Sequence, residues 1–167
     1  MIILVAGLPG SGKTTFAEAL ADSLGASHFN TDKIRIALGK TGQYDNATKI
    51  LVYEQLLAQI RKVLKKKQSV IVDATFYKKA LRQPYIALAH QFVTPIKYIE
   101  IKASEAVIQQ RMQSKRKYSE ADFEVYQNIK KQYEPITEPH FVLWSDQLSL
   151  AEMVEKAKAF LIIEKHA

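Results

Sequence analysis

Gly7-Leu8-Pro9-Gly10-Ser11-Gly12-Lys13-Thr14-Thr15 decides how the rest of the chain is read. Five apolar residues precede it, Ile2-Ile3-Leu4-Val5-Ala6, and such a run reads as a strand buried on both faces of a parallel sheet. Phe16, Ala19, Leu20 and Leu24 follow at helical spacing, and Gly25 stands where a helix would stop. A G-x-x-x-x-G-K-[ST] pattern between a buried strand and a helix has the context of a phosphate-binding loop. Its glycines let the backbone curl so that several N–H groups face one phosphate chain, and the helix N-terminus adds its positive dipole end. Lys13 is placed to bridge the β- and γ-phosphates of ATP, and the Thr14 hydroxyl to ligate Mg2+. The whole stretch from Gly7 to Thr15 is the candidate nucleotide-binding segment.

The bulk properties bound the answer. A length of 167 residues fits one α/β domain with a real core, and 47% hydrophobic with 25% charged residues is ordinary for a globular protein. No apolar run approaches membrane-spanning length, and Met1 leads straight into the first strand, so a cytoplasmic location is expected, with no membrane association. There is no cysteine, which excludes disulfides and thiolate metal sites. The net charge of +7 suits a polyanionic partner such as ATP or nucleic acid. It equally suits a lysine-rich soluble surface, with Lys65-Lys66-Lys67 at a solvated helix end. Nothing in the sequence points to an obligate protein partner.

Strand and helix patterns alternate throughout, without repeats or linkers. Strands are predicted at Ser27-His28-Phe29-Asn30, Ser69 to Asp73, Pro95 to Ile101 and His140 to Trp144. Helical turns are predicted over Lys33 to Leu38. A long helix follows with Ile50, Tyr53, Leu57, Ile60 and Leu64 on its apolar stripe. Lys78 to Gln91 reads as a helix that Pro84 would delay or kink. Ser104 reads as the cap of a helix reaching about Ser114, and Ser119-Glu120-Ala121-Asp122 as the start of the next. Ser149-Leu150-Ala151-Glu152 is a capping box for a last helix facing inward through Leu150, Met153, Ala157 and Leu161. The expected fold is a single three-layer α/β domain over residues 1–167, a five-stranded parallel sheet with helices on both faces.

Three further features suit phosphoryl transfer. Asp32 and Arg35 follow the second strand three residues apart, so on a helix they share a face. The acid there can take the proton of an attacking hydroxyl, and the arginine can bind an acceptor phosphate or the transferring group. The same spacing also suits an N-cap aspartate beside a surface arginine. Asp73 ends a hydrophobic strand, at the sheet edge where ligands gather, and can support Mg2+ or cap the next turn. Arg111, Lys115, Arg116 and Lys117 crowd a connector, about residues 111–119, that can close as a lid over a triphosphate or stand as a solvated basic turn. Among other residues, His28 and His140 read as core or strand-end groups. Phe76 and Tyr77, just after Asp73, are candidates for stacking on a ligand, and Tyr126 and Tyr133 are expected to pack within one helix.

The chain resembles the P-loop kinase family, often labelled an AAA-type ATP-binding domain, that includes polynucleotide 5′-hydroxyl kinase and zeta-toxin-like kinases. The matching residues are the stretch at 7–15, Thr31-Asp32-Lys33-Ile34-Arg35, Val72-Asp73-Ala74-Thr75-Phe76, and Arg111 through Asp122 to Gln132-Tyr133-Glu134-Pro135. The resemblance implies strand order 2-3-1-4-5, Asp32 as general base, Arg35 toward the acceptor and Arg111 as the lid arginine on the triphosphate. Where the family often has a second lid arginine, this chain has Lys115, with Arg116 beside it, so that contact stays open. The implied activity is transfer of the γ-phosphoryl group of Mg-ATP to a hydroxyl, either a polynucleotide 5′ end or a small metabolite. A nucleotide-dependent switch or hydrolase without an acceptor is the competing reading.

Overall fold

The computed structural model describes residues 1–43, 45–113 and 123–163, apart from the side chains of Asn46 and Ile163. Its strands are β1 (Ile2–Ala6), β2 (Ser27–Asn30), β3 (Val70–Asp73), β4 (Ile96–Lys102) and β5 (His140–Trp144). They form one parallel sheet in the order β2-β3-β1-β4-β5. β1 and β3 lie inside the sheet, and every residue of both is buried, as their unbroken apolar runs require. The register sets Val5 beside Asp73 and Asp73 beside Asn30. Three strand ends therefore meet at the point where β1 hands over to the phosphate-binding loop.

Helices cover both faces. On one face, α1 (Lys13–Leu24) and α7 (Leu150–Ile163) pack Phe16, Leu20, Met153 and Ala157 against Ile3, Val5, Ile71 and Ile99. On the other, α2 (Thr31–Ala37), α3 (Asn46–Lys65) and α4 (Lys79–Gln91) bury Ile34, Leu56, Ile60, Tyr85 and Leu88 against Leu4, Val70 and Val72. Two shorter helices, α5 (Glu105–Met112) and α6 (Phe123–Lys131), lie between β4 and β5. Residues 114–122 and 164–167 lie outside the described residues, and with them Lys115, Arg116, Lys117 and the expected helix start at Ser119. Among the described residues no helix is long and apolar enough to cross a membrane.

Several expectations shift. The helix after β2 begins at Thr31, two residues before Lys33, because Asn30 caps it by accepting from the N–H groups of Asp32 and Lys33. The buried stripe of α3 is Val52, Leu56, Ile60 and Leu64, while Ile50 is 60% exposed. Ile50, Leu51 and Val52 are consecutive apolar residues, so periodicity alone left the phase of that stripe open. Pro84 lies in the second turn of α4 without ending it. Ser104 stands at the N-cap of α5 but makes no side-chain cap bond; its N–H donates to Asp146 instead. The capping box of α7 forms as expected, with Ser149 and Glu152 bonded reciprocally, although Leu150 is 41% exposed. Tyr133 lies beyond α6, and its hydroxyl meets Glu100 across the end of the sheet.

The α3 stripe gives a direct stability test. Leu56→Ala empties a fully buried position and should cost about 2–5 kcal/mol in denaturant unfolding. Ile50→Ala should stay within about 0.5 kcal/mol. A larger loss at Ile50 than at Leu56 would contradict this packing.

Candidate active site

The loop between β1 and α1 is shaped by its glycines. A Cβ on Gly7 would stand 2.5 Å from the Ile101 carbonyl oxygen and 2.6 Å from Ser11 Oγ, so only glycine lets the loop start this close to β4. Gly12 is the N-cap of α1 at φ 92°, in the left-handed region. No side chain caps α1, and its first turn holds no acid. The positive end of the helix is thus left to an anion from outside.

Pro9, Gly10, Gly12, Lys13, Thr14 and Thr15 line one wall of a cavity of about 1040 Å3. Gly7, Leu8 and Ser11 build the loop behind that wall: Gly7 packs on β4, the Leu8 carbonyl accepts from the Ser11 N–H, and the Ser11 carbonyl accepts from Ser145. The floor is Asp73, fully buried at the end of β3. Its Oδ1 accepts from Thr14 Oγ1 at 3.1 Å and Asn30 Nδ2 at 2.7 Å, and its Oδ2 lies 2.5 Å from His28 Nε2. A hydroxyl and a carboxylate held together beside a phosphate-binding loop are hard oxygen donors of the kind Mg2+ takes, with substrate phosphates completing its shell. The residues present therefore fit the ion.

Asp32 and Arg35, in the first two turns of α2, also line the cavity and are paired, Arg35 Nη1 donating to Asp32 Oδ1 at 2.8 Å. Burial pushes the Asp32 carboxyl above its ordinary value, and the nearby Asp73 charge adds to the rise, while Arg35 and Lys13 pull the other way. The rest of this half comes from α3 (Lys49, Tyr53), the β3–α4 loop (Thr75, Tyr77), α4 (Leu81) and α6 (Val125, Ile129). Lys49 and Tyr53 are one turn apart and share a face, as do Val125 and Ile129. Of the two aromatic candidates after Asp73, Tyr77 lines the cavity, whereas Phe76 does not. At φ 48° the backbone turns the Phe76 side chain into the core, edge-on to Tyr85, and the buried Arg82 holds its carbonyl at 2.9 Å.

Arg111 lines the same cavity and reaches the phosphate-binding loop from α5. Its Nη1 donates to the Gly10 carbonyl at 3.2 Å and to Ser145 Oγ at 2.9 Å, and its Nη2 to the Ser145 carbonyl at 3.2 Å. Ser145 in turn donates to the Ser11 carbonyl at 2.5 Å. With the Ser104 N–H on Asp146, both ends of α5 are tied to the turn after β5. Sequence reasoning missed His28, Asn30 and Ser145. The first two had a signal: alternate positions of β2 share a face, and both are polar at the strand end that points to the loop. Ser145 had none, because its contact spans 134 residues.

In this arrangement Arg111 supports the loop itself. Arg111→Ala should therefore weaken binding of a nucleoside diphosphate, which lacks the transferring phosphate, by about tenfold or more in calorimetric titration, as loss of charge-assisted bonds implies. Unchanged affinity would mean these contacts do not hold the loop.

Comparison with known proteins agrees with this geometry. Residues 2–136 match the AAA domain family. Two uncharacterized mycobacterial proteins, Rv2004c of Mycobacterium tuberculosis H37Rv and Mb2027c of Mycobacterium bovis, are 33% identical over 87 aligned positions, covering 45% of this chain and 18% of each relative. The match thus spans less than a fifth of those relatives' length. Among solved structures, Chaetomium thermophilum Kti12 in complex with ADP-AlF3 superposes with TM-score 0.73 at 23% identity, covering 95% of this chain and 98% of that one. A Janibacter sugar kinase gives 0.70 at 20% identity, over 96% and 93% of the two chains. The Mycobacterium tuberculosis APS kinase CysC, bound to AMPPNP and APS, gives 0.69 at 16% identity over 96% of both. The strand order, the glycine loop and the likeness to these structures establish a P-loop kinase fold, and the chain belongs to the AAA domain family.

Proposed function

We propose that this chain is an ATP-dependent phosphotransferase that moves the γ-phosphoryl group of Mg-ATP onto a hydroxyl acceptor. The observation that carries the reading is one cavity with two halves. The phosphate-binding loop and Asp73 line one, and the Asp32–Arg35 pair the other. A triphosphate seated on the loop would direct its terminal phosphoryl group toward Asp32. The likeness to an APS kinase bound to AMPPNP and APS supports the same assignment.

Lys13 and the N–H groups at the start of α1 bind the phosphate chain. Mg2+, when bound, supplies charge neutralisation across the β- and γ-phosphates, and Thr14 and Asp73 are the residues that would hold it. Asp32 accepts the proton of the attacking hydroxyl. The acceptor oxygen forms its bond to the γ-phosphorus as the bond to the bridging oxygen breaks, and ADP leaves. Arg35 holds the Asp32 carboxylate in place through Oδ1 and stands beside the transferring group. Arg111 steadies the loop, and a second basic contact from Lys115 or Arg116 would complete a lid over residues 111–119.

The acceptor half supports a hydroxyl compound that carries an anionic group. Arg35, paired with Asp32, and Lys49 line the cavity together with the apolar Leu81, Val125 and Ile129, and Glu18 and Asp73 are its other carboxylates. The upper end of small-molecule pocket sizes is roughly 1,000 Å3, so the space suits a nucleotide plus a small acceptor or the terminal residue of a longer one. Screening γ-labelled ATP against hydroxy acids, sugar phosphates, nucleotides and 5′-hydroxyl oligonucleotides tests this. Label should enter an anionic acceptor. ATP turnover that no acceptor accelerates would favour a hydrolase.

Two variants test the roles. Lys13→Ala should lower transfer by about 10³-fold or more through loss of a phosphate clamp; near-normal activity would refute the loop's role. Asp32→Asn should keep ATP affinity and lower transfer about 10²–10⁴-fold. Protonated Asp32 cannot act as base, and its carboxyl titrates above the ordinary 3.8. The wild-type kcat/KM should therefore fall as the pH drops through that raised value, and the Asn variant should lack this limb. A parallel loss of ATP binding and turnover in Asp32→Asn would make Asp32 structural.

A further inference from the structure

We infer that His28 is a positioning residue for the Asp73 carboxylate, held at Oδ2 through Nε2 with Lys33 on its other ring nitrogen. The inference rests on the reading of Asp73 as the metal-supporting acid and adds the group that orients it. His28 lies on the edge strand β2, two residues before Asn30 and on the same face. Its side chain is 8% exposed and that of Asp73 is 0% exposed.

Hydrogen-bond bookkeeping assigns the tautomer. His28 Nδ1 lies 3.3 Å from Lys33 Nζ, which also donates to Glu18 Oε1 at 2.7 Å. An ammonium group can only donate, so Nδ1 must accept. The ring hydrogen then resides on Nε2 and is donated to Asp73 Oδ2 at 2.5 Å. Glu18 on α1, Lys33 on α2, His28 on β2 and Asp73 on β3 thus form one relay of oriented bonds.

The consequence lies in the geometry of Asp73. Thr14 and Asn30 both donate to Oδ1, which leaves rotation about the side-chain bonds to be stopped at Oδ2. His28 supplies that stop. The Thr14 hydroxyl would keep its hydrogen on Oδ1 while a lone pair faced a cation, so the aim of Oδ2 would still rest on His28. Removing a hydrogen-bond partner of a metal-supporting group typically weakens the metal by about 10–100-fold.

The test uses the full chain, ADP, and Mn2+ as a paramagnetic probe read by electron spin resonance. His28→Leu keeps much of the volume and removes the donor; His28→Gln offers an amide N–H toward the Nε2 position. With saturating ADP, His28→Leu should bind Mn2+ about tenfold more weakly, and His28→Gln should recover most of that loss. ADP affinity in EDTA should change little in either. Lys33→Met, a second and milder variant, should weaken Mn2+ severalfold by removing the contact that holds the ring at Nδ1. The inference is overturned if His28→Leu binds Mn2+ with ADP as the wild type does. It is overturned equally if metal-free ADP affinity falls by the same factor, since His28 would then only support the fold. The readout involves no acceptor. A chain that only hydrolyses ATP would pass this test while failing the transfer assay, whereas a wild type that binds no Mn2+ with ADP would overturn the inference and the nucleotide reading together.

Discussion

The carboxylate of Asp73 is the constraint on which the site depends. It lies fully buried at the end of a central strand, where an ionised group is costly unless bonded on every side. Thr14 approaches it from the first turn of α1, and Asn30 and His28 from β2. Its satisfaction therefore ties together the first three strands of the chain and the helix that starts the nucleotide site. Asn30 is used twice, since its amide nitrogen donates to Asp73 while its oxygen caps α2. The same residue thereby fixes Asp73 and the helix that carries Asp32 and Arg35, all three of which line the cavity.

The far side of the loop is held by different means. No acid caps α1, so its N-terminus is left for an anion, and the loop's shape is held by residues distant in the chain. Arg111 and Ser145 grip the carbonyls of Gly10 and Ser11, and Gly7 allows close contact with β4. The Ser11 N–H is taken by the Leu8 carbonyl, so the turn is also closed from within. An arginine that the family resemblance assigns to the triphosphate is here bonded to the loop that would hold it.

Much of this was legible in the sequence, because the decisive signals are local. The strand–loop–helix around Gly7 to Thr15, the three-residue spacing of Asp32 and Arg35, and the acid ending β3 all follow from neighbours in the chain. What stayed hidden is non-local or degenerate. Among three consecutive apolar residues at 50–52 the periodicity pointed to Ile50, whereas packing against the sheet buries Val52. Phe76 stands beside the site in sequence, yet its positive φ and the buried Arg82 send it inward. His28 was read as an ordinary strand histidine because its partners, Lys33 and Asp73, come from two other elements.

The central claim is that donor and acceptor halves form one reaction site. The most direct measurement is phosphorus NMR of the chain turning over Mg-ATP with a pool of anionic hydroxyl compounds, comparing ADP formed with phosphomonoester formed. This account predicts a new phosphomonoester resonance that grows in step with ADP. Inorganic phosphate growing in step with ADP, with no such resonance from any acceptor, would contradict it.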